Sequence, residues 1–264
     1  MFRTFSGIFL IGVLTAGTLA LGWYCVQSRI HTKPEYRLTA AKISVNPPPV
    51  WVPKDFIETV LQRSNISGVS LLDDSLTRKL AEAFAAYPWV ESVGQVVLRY
   101  PSGADVRLVY REPAALVEVP KQGKIPVDRY GILLPEEYLR EVAPEIQADY
   151  TVIQGIQSMP LGSAGTPWGD PLVQTAAQLA AELKDIADEM KLTAILPATE
   201  TTPSGVRIVC RLKTAAGKEL QWGTFTPNDP RNGTKKQRVR DLIKQYRTLD
   251  NVPDSFQPVD LSRE

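Results

Sequence analysis

The stretch PWVESVGQVVLRYPSGADVRLVYREP, Pro88–Pro113, decides the fold. It reads as two strands joined at Pro101-Ser102-Gly103. Apolar residues recur at every second position on both sides of the turn, as Val96, Leu98 and Tyr100 before it and Val106, Leu108 and Tyr110 after it. On the second run the alternate positions are Asp105, Arg107, Val109 and Arg111, so one face can be buried while the other stays mostly wet. Such a half-sheet needs a cover. Ser75–Tyr87 supplies one, with Leu76, Leu80, Ala83, Phe84 and Tyr87 at helical spacing and Arg78, Lys79 and Glu82 between them. A helix laid on a hairpin is a small α+β module.

Composition narrows the function classes. The chain has 264 residues, 30 basic and 29 acidic, for a formal charge of +1, which gives no global argument for a nucleic-acid partner. Cys25, Cys210 and the single histidine, His31, cannot build a cysteine/histidine zinc cluster, a histidine-based triad or a two-histidine metal site within one chain. No cofactor is expected. Gly162-Ser163-Ala164-Gly165 lacks the lysine and hydroxyl residue of a phosphate-cradling loop and reads as a surface loop. Asp73 and Asp74 stand where a helix cap is needed. Trp89, Trp168 and Trp222 read as packing residues, and the sequons at Asn65 and Asn232 as chance matches.

Upstream of the hairpin, residues 7–26 carry no charge and are rich in aliphatic residues. About 20 such residues span a bilayer as a helix, and Trp23 and Tyr24 fall where interfacial rings belong. The expectation is one retained transmembrane helix rather than a cleaved signal peptide, because the run is long and ends in bulky residues. Residues 1–6 then form a short cytoplasmic tail. Tyr36–Val45 is a candidate strand that Asn46–Pro53 (NPPPVWVP) cannot extend, since proline removes ladder donors. Lys54–Arg63 places Phe56, Ile57, Val60 and Leu61 on one helical face. The order up to Glu112 is strand, helix, helix, strand, strand.

Beyond Pro113 the pattern turns to short strands, at Ala115–Val119, Lys124–Asp128, Ile132–Leu134 and Thr151–Ile156. Asp170-Pro171 opens a helix with an apolar stripe from Leu172 to Met190. Strands follow near Leu192–Pro197, Gly205–Leu212 and Glu219–Phe225, then a helix from Thr234 capped by Gln237, then a short extended piece at Val259–Leu261. Lys235, Lys236, Arg238, Arg240, Lys244 and Arg247 give that last helix a basic outer face, either merely solvated or fit for an acidic partner segment.

In their order and spacing these residues resemble the FtsQ/DivIB family of bacterial cell-division proteins. The resemblance rests on Pro88-Trp89-Val90, on Val97-x-Arg99-x-Pro101 and on the strand Val106–Pro113 ending in Arg-Glu-Pro. Pro126-Val127-Asp128-x-x-Gly131 follows, with weaker echoes at Val152-Ile153-Gln154-Gly155, Leu220-x-Trp222-Gly223 and Val259-Asp260-Leu261. It implies an α+β architecture: a single N-terminal transmembrane helix, a POTRA domain over residues 36–112 and a β-rich α+β domain over 113–264. It further implies a non-enzymatic divisome scaffold in the bacterial inner membrane at the septum, N-terminus cytoplasmic. The implied partners are division proteins of the FtsB/DivIC and FtsL type, with FtsK-type and FtsW-type proteins beside them. In the family a terminal strand and the helix before it dock the FtsB/DivIC partner by strand addition. The candidate partner-binding positions here are Arg238, Arg240, Lys244 and Arg247 on the basic helix face and Pro258, Val259, Asp260 and Leu261 in the extended piece, to which the family's terminal strand is reduced, so that its docking mode does not simply carry over. The chain departs from the family in Asn46 and its three following prolines, and in ending at Glu264 where members continue into a further strand. The alternatives are a POTRA-containing envelope transport or assembly factor and an anchored hydrolase built on paired carboxylates.

Overall fold

The computed structural model describes residues 14–23, 34–136, 150–203, 205–252 and 259–260. It is an α+β protein with two sheets. Within the described residues the chain divides into two compact units, one drawn from Met1–Pro48 and Lys54–Val109, the other from Pro49–Pro53 and Tyr110–Glu264.

The described residues do not support the expected transmembrane helix. Among the described residues no helix is long and apolar enough to cross a membrane. Residues 14–23 are helical, and at 1.5 Å per residue they reach about 15 Å, half of a hydrocarbon core of roughly 30 Å. The apolar run contains Thr15, Gly17, Thr18 and Gly22, which are weak helix formers, and Thr18 Oγ1 turns back onto the carbonyls of Leu14 and Thr15. The expected location as a single-pass inner-membrane protein falls with the span. Residues 1–13 and 24–33, with Tyr24, Cys25 and His31, lie outside the described residues.

The first unit carries β1 (Ile43–Val45), α1 (Phe56–Arg63), α2 (Leu76–Ala85), β2 (Val90–Arg99) and β3 (Gly103–Tyr110). Its sheet has the order β1-β3-β2, with β1 parallel to β3. Leu76, Leu80 and Phe84 of α2 are fully buried with Trp89, Val106 and Leu108, and Phe56 meets the Phe84 ring edge-on at 6.3 Å. Tyr100 departs from its expected face and is 63 % exposed, since β2 ends at Arg99. Only the end of the expected strand Tyr36–Val45 is a strand. Pro34–Tyr36 and Ala40–Lys42 are 3₁₀ turns, and Leu38 instead exchanges hydrogen bonds with Gly68 and Val69.

Where the prolines stop β1, a side chain takes over. Asn46 Nδ2 donates to the Leu108 carbonyl at 3.0 Å and its Oδ1 accepts from the Leu108 amide at 2.8 Å, so one carboxamide satisfies both backbone groups of a buried residue.

The second unit has a seven-stranded sheet in the order β10-β9-β8-β7-β6-β4-β5. Its strands are β4 (Pro113–Val119), β5 (Gly123–Asp128), β6 (Val152–Ile153), β7 (Leu192–Thr202), β8 (Gly205–Thr214), β9 (Glu219–Thr224) and β10 (Val259–Asp260). Among the described residues it is accompanied by α3 (Pro171–Leu183), α4 (Ala187–Met190) and α5 (Pro230–Tyr246). Val173, Ala176, Leu179 and Leu183 of α3 enter one core with Val117, Ile153, Ile195, Leu212 and Trp222. Both long helices start on an aspartate–proline pair: Asp170 accepts from the Leu172 amide and Asp229 from the Arg231 amide. The last helix therefore begins at Pro230, four residues before the expected Thr234, because the Asp229 cap acts ahead of it. Ile132–Leu134 forms isolated bridges rather than a strand.

Asp128 organises the turn that follows β5. Its Oδ1 accepts from the amides of Tyr130 and Ile132 at 2.8 and 2.9 Å, and its Oδ2 from Arg111 Nη1 at 2.7 Å. The carboxylate is 2 % exposed and the guanidinium 15 %. Gly131 adopts φ +72°, and a Cβ there would stand 3.2 Å from the Gln174 backbone. The Arg-Glu-Pro and Val-Asp-x-x-Gly stretches thus meet in one structural brace. Asp128→Ala is expected to cost about 3–5 kcal/mol, since it strands a buried guanidinium. Asn46→Ala is expected to cost about 1–3 kcal/mol through two unsatisfied backbone groups. Denaturant titration of each variant checks both values, and a loss below about 0.5 kcal/mol at either site refutes the role given to it.

Candidate partner-binding edges

A strand at the rim of a sheet offers unpaired backbone groups, so partner sites in this fold are sought at its edges. In the second unit the β5 rim is covered by its own chain. Leu134 donates to the Pro126 carbonyl at 2.9 Å and Asp128 to the Ile132 carbonyl at 3.0 Å. At the opposite rim β10 lies parallel to β9, pairing Val259 with Leu220 and Asp260 with Gln221. Pro258 and Leu261, expected to flank it, lie outside the described residues.

In the first unit the two rims differ in length. β1 has only three residues, whereas β2 has ten and, among the described residues, β3 as its one strand neighbour. Val97 on β2 is 43 % exposed and Val109 on β3 49 %, so the open rim adjoins apolar surface. Periodicity identified both strands; it could not say which became the rim, since strand order is a tertiary property.

The basic residues of α5 fall into separate groups. Lys236 Nζ lies 2.9 Å from both Glu182 Oε1 and Asp185 Oδ1, and Arg240 Nη2 lies 3.0 Å from Asp185 Oδ2. These groups latch α5 to the end of α3 and the turn beyond it. Lys235 turns onto β9, donating to the carbonyls of Trp222 at 2.8 Å and Thr224 at 3.1 Å. Arg238 is half-buried, while Lys244 and Arg247 are exposed. Of the expected docking residues, Arg240 is thus engaged within the fold, and Lys244 and Arg247 are presented to solvent. Asn232 of the second sequon is buried and donates to the Thr226 carbonyl, so its nitrogen is used internally.

Among the described residues no group of three or more His, Cys, Asp and Glu side chains is placed to hold a metal. Cys210 is buried, and that burial pushes its thiol up to about 12, which keeps it protonated at neutral pH. Gly165 of the glycine-rich loop donates its amide to the Leu133 carbonyl and so pins the loop to the β5 cover. The Trp168 indole donates to Ser158 Oγ, and Trp89, Trp168 and Trp222 are all fully buried packing residues. Neither a known family nor a curated protein matches the chain.

The latch sets a pH dependence. Burial is the largest single influence on both charges and opposes them, yet for Asp185 the hydrogen bond and charge of Lys236, a backbone hydrogen bond and the charge of Arg240 together outweigh it and hold the carboxyl below its ordinary 3.8. For Lys236, burial likewise acts against the charge, and the hydrogen bonds to Asp185 and Glu182 together with the charges of those carboxylates outweigh it, raising the ammonium above its ordinary 10.5. A depressed carboxyl contributes stability that is present above its ordinary value and lost as pH falls through the folded one. A raised ammonium contributes stability that is present below its ordinary value and lost as pH rises through the folded one. Because the Asp185 side chain is 51 % exposed and Lys236 keeps Glu182 as a second partner, Asp185→Asn is expected to cost under about 1 kcal/mol at pH 7. That gap from wild type should close in acid, below the ordinary aspartate range. Denaturation at pH 7 and in acid checks this, and a gap that is unchanged in acid refutes it.

Proposed function

We propose that this chain is a non-enzymatic scaffold that binds other proteins of the bacterial division machinery through its sheet edges. The partners are division proteins of the FtsB/DivIC and FtsL type, with FtsK-type and FtsW-type proteins as further contacts. The observation that carries the proposal is the ten-residue strand β2, whose outer rim has no strand neighbour among the described residues. Backbone donors and acceptors along such a rim supply affinity to an added strand, and the apolar residues beside it supply selectivity. The stretches that resemble the FtsQ/DivIB family support the division assignment, and the exposed Lys244 and Arg247 support a second contact with an acidic segment.

Two experiments test this reading. Val97→Lys places a charge on the β2 rim, a device that natural sheets use against strand addition, and is expected to weaken capture of division partners about tenfold. Reversing Lys244 and Arg247 to glutamate leaves the Asp185 latch intact and is expected to weaken an acidic contact. Unchanged capture by both variants refutes the docking model. Depleting the protein from cells then separates the rivals: filamentous, undivided cells support a division role, whereas loss of outer-membrane proteins supports envelope assembly and altered envelope polymers a hydrolase.

A further inference from the structure

The β9 rim is closed at two adjoining places by different means. Its first residues, Leu220 and Gln221, pair with β10. Because β10 runs parallel to β9, a strand continuing its course would next run alongside Trp222, Gly223 and Thr224. Those are the residues Lys235 holds. Its ammonium donates to the Trp222 and Thr224 carbonyls and stands 5.3 Å from the centre of the Trp222 ring. A carbonyl already bound to an ammonium is a poor acceptor for an incoming amide, and the charge is further held by the ring face.

The position of Lys235 is well determined. It lies early in α5, whose start is fixed by the Asp229 cap and by Asn232 bonding the Thr226 carbonyl. The adjacent Lys236 is latched to Glu182 and Asp185. The helix has little apolar attachment of its own, with Val239 its one fully buried apolar side chain among the described residues. Polar contacts therefore decide where the ammonium sits.

We propose that Lys235 is a built-in stop on the β9 rim. It ends strand addition at Gln221 and keeps the remaining length of this edge strand from pairing with the edge of a second copy of the chain. The inference concerns a different sheet from the β2 rim and stands independently of the division role.

The test compares self-association of the full chain by sedimentation over a range of concentrations. Lys235→Met keeps the apolar stem and removes the ammonium. It is expected to raise the self-association constant about tenfold, the scale of two released backbone hydrogen bonds. Lys235→Arg, which keeps a donor for both carbonyls, and Gln245→Met, which places the same methionine at an exposed position of the same helix, are expected to behave as wild type. Circular dichroism verifies that each variant is folded. If the methionine variant does not fold, Lys235→Gln serves instead, since its shorter, uncharged amide releases at least one carbonyl and is expected to associate more than wild type. A folded Lys235→Met, or in its place a folded Lys235→Gln, that associates no more than Gln245→Met overturns the proposal.

Discussion

Backbone groups at the rim of a sheet have no ladder partner and must be covered, solvated or shared with another chain. In this protein polar side chains and short straps supply much of that cover. The Asn46 carboxamide stands in for a peptide unit against Leu108, where three prolines bar β1 from continuing. Asp128 ties down the turn whose far side covers β5. Lys235 holds two carbonyls of β9 just past the short strand β10. Each arrangement closes backbone with a side chain or a turn rather than another long strand, and β2 is left as the long rim of the first unit.

The same economy of polar contacts governs α5. An amphipathic helix is normally held by an apolar stripe. Here Val239 is fully buried and Leu242, Ile243 and Tyr246 are only partly so, while Lys235, Lys236 and Arg240 supply directed contacts to the sheet and to the end of α3. Charge on this helix accordingly has two physical meanings. Part of it fastens the helix, and part, at Lys244 and Arg247, faces water. A count of basic residues does not distinguish them, because the acceptors lie on α3 and β9, far away in sequence.

Local signals were legible where the chemistry is local. The hairpin around Pro101-Ser102-Gly103, the buried face of α2 and the Asp170-Pro171 helix start all follow from neighbouring residues, and each is observed. The early start of α5 is equally local, since Asp229-Pro230 repeats the Asp170-Pro171 device ahead of the capping box at Thr234. The apolar run near the amino terminus is a different case: hydropathy summed over a window measures composition, whereas crossing a bilayer also needs helix length, and the described helix covers residues 14–23 alone.

The amino-acid sequence by itself determined the α+β class, the alternation of buried and exposed strand positions and the residue types available for chemistry. Those properties depend on side-chain period and composition, which are local. Only the tertiary structure decided which strand forms each rim, which lysine closes β9 and which faces solvent, and that Asn46, Asp128 and Arg111 serve as structural fasteners. Their partners are brought together by the fold, and a hydrogen bond has no strength until its two ends meet at about 3 Å.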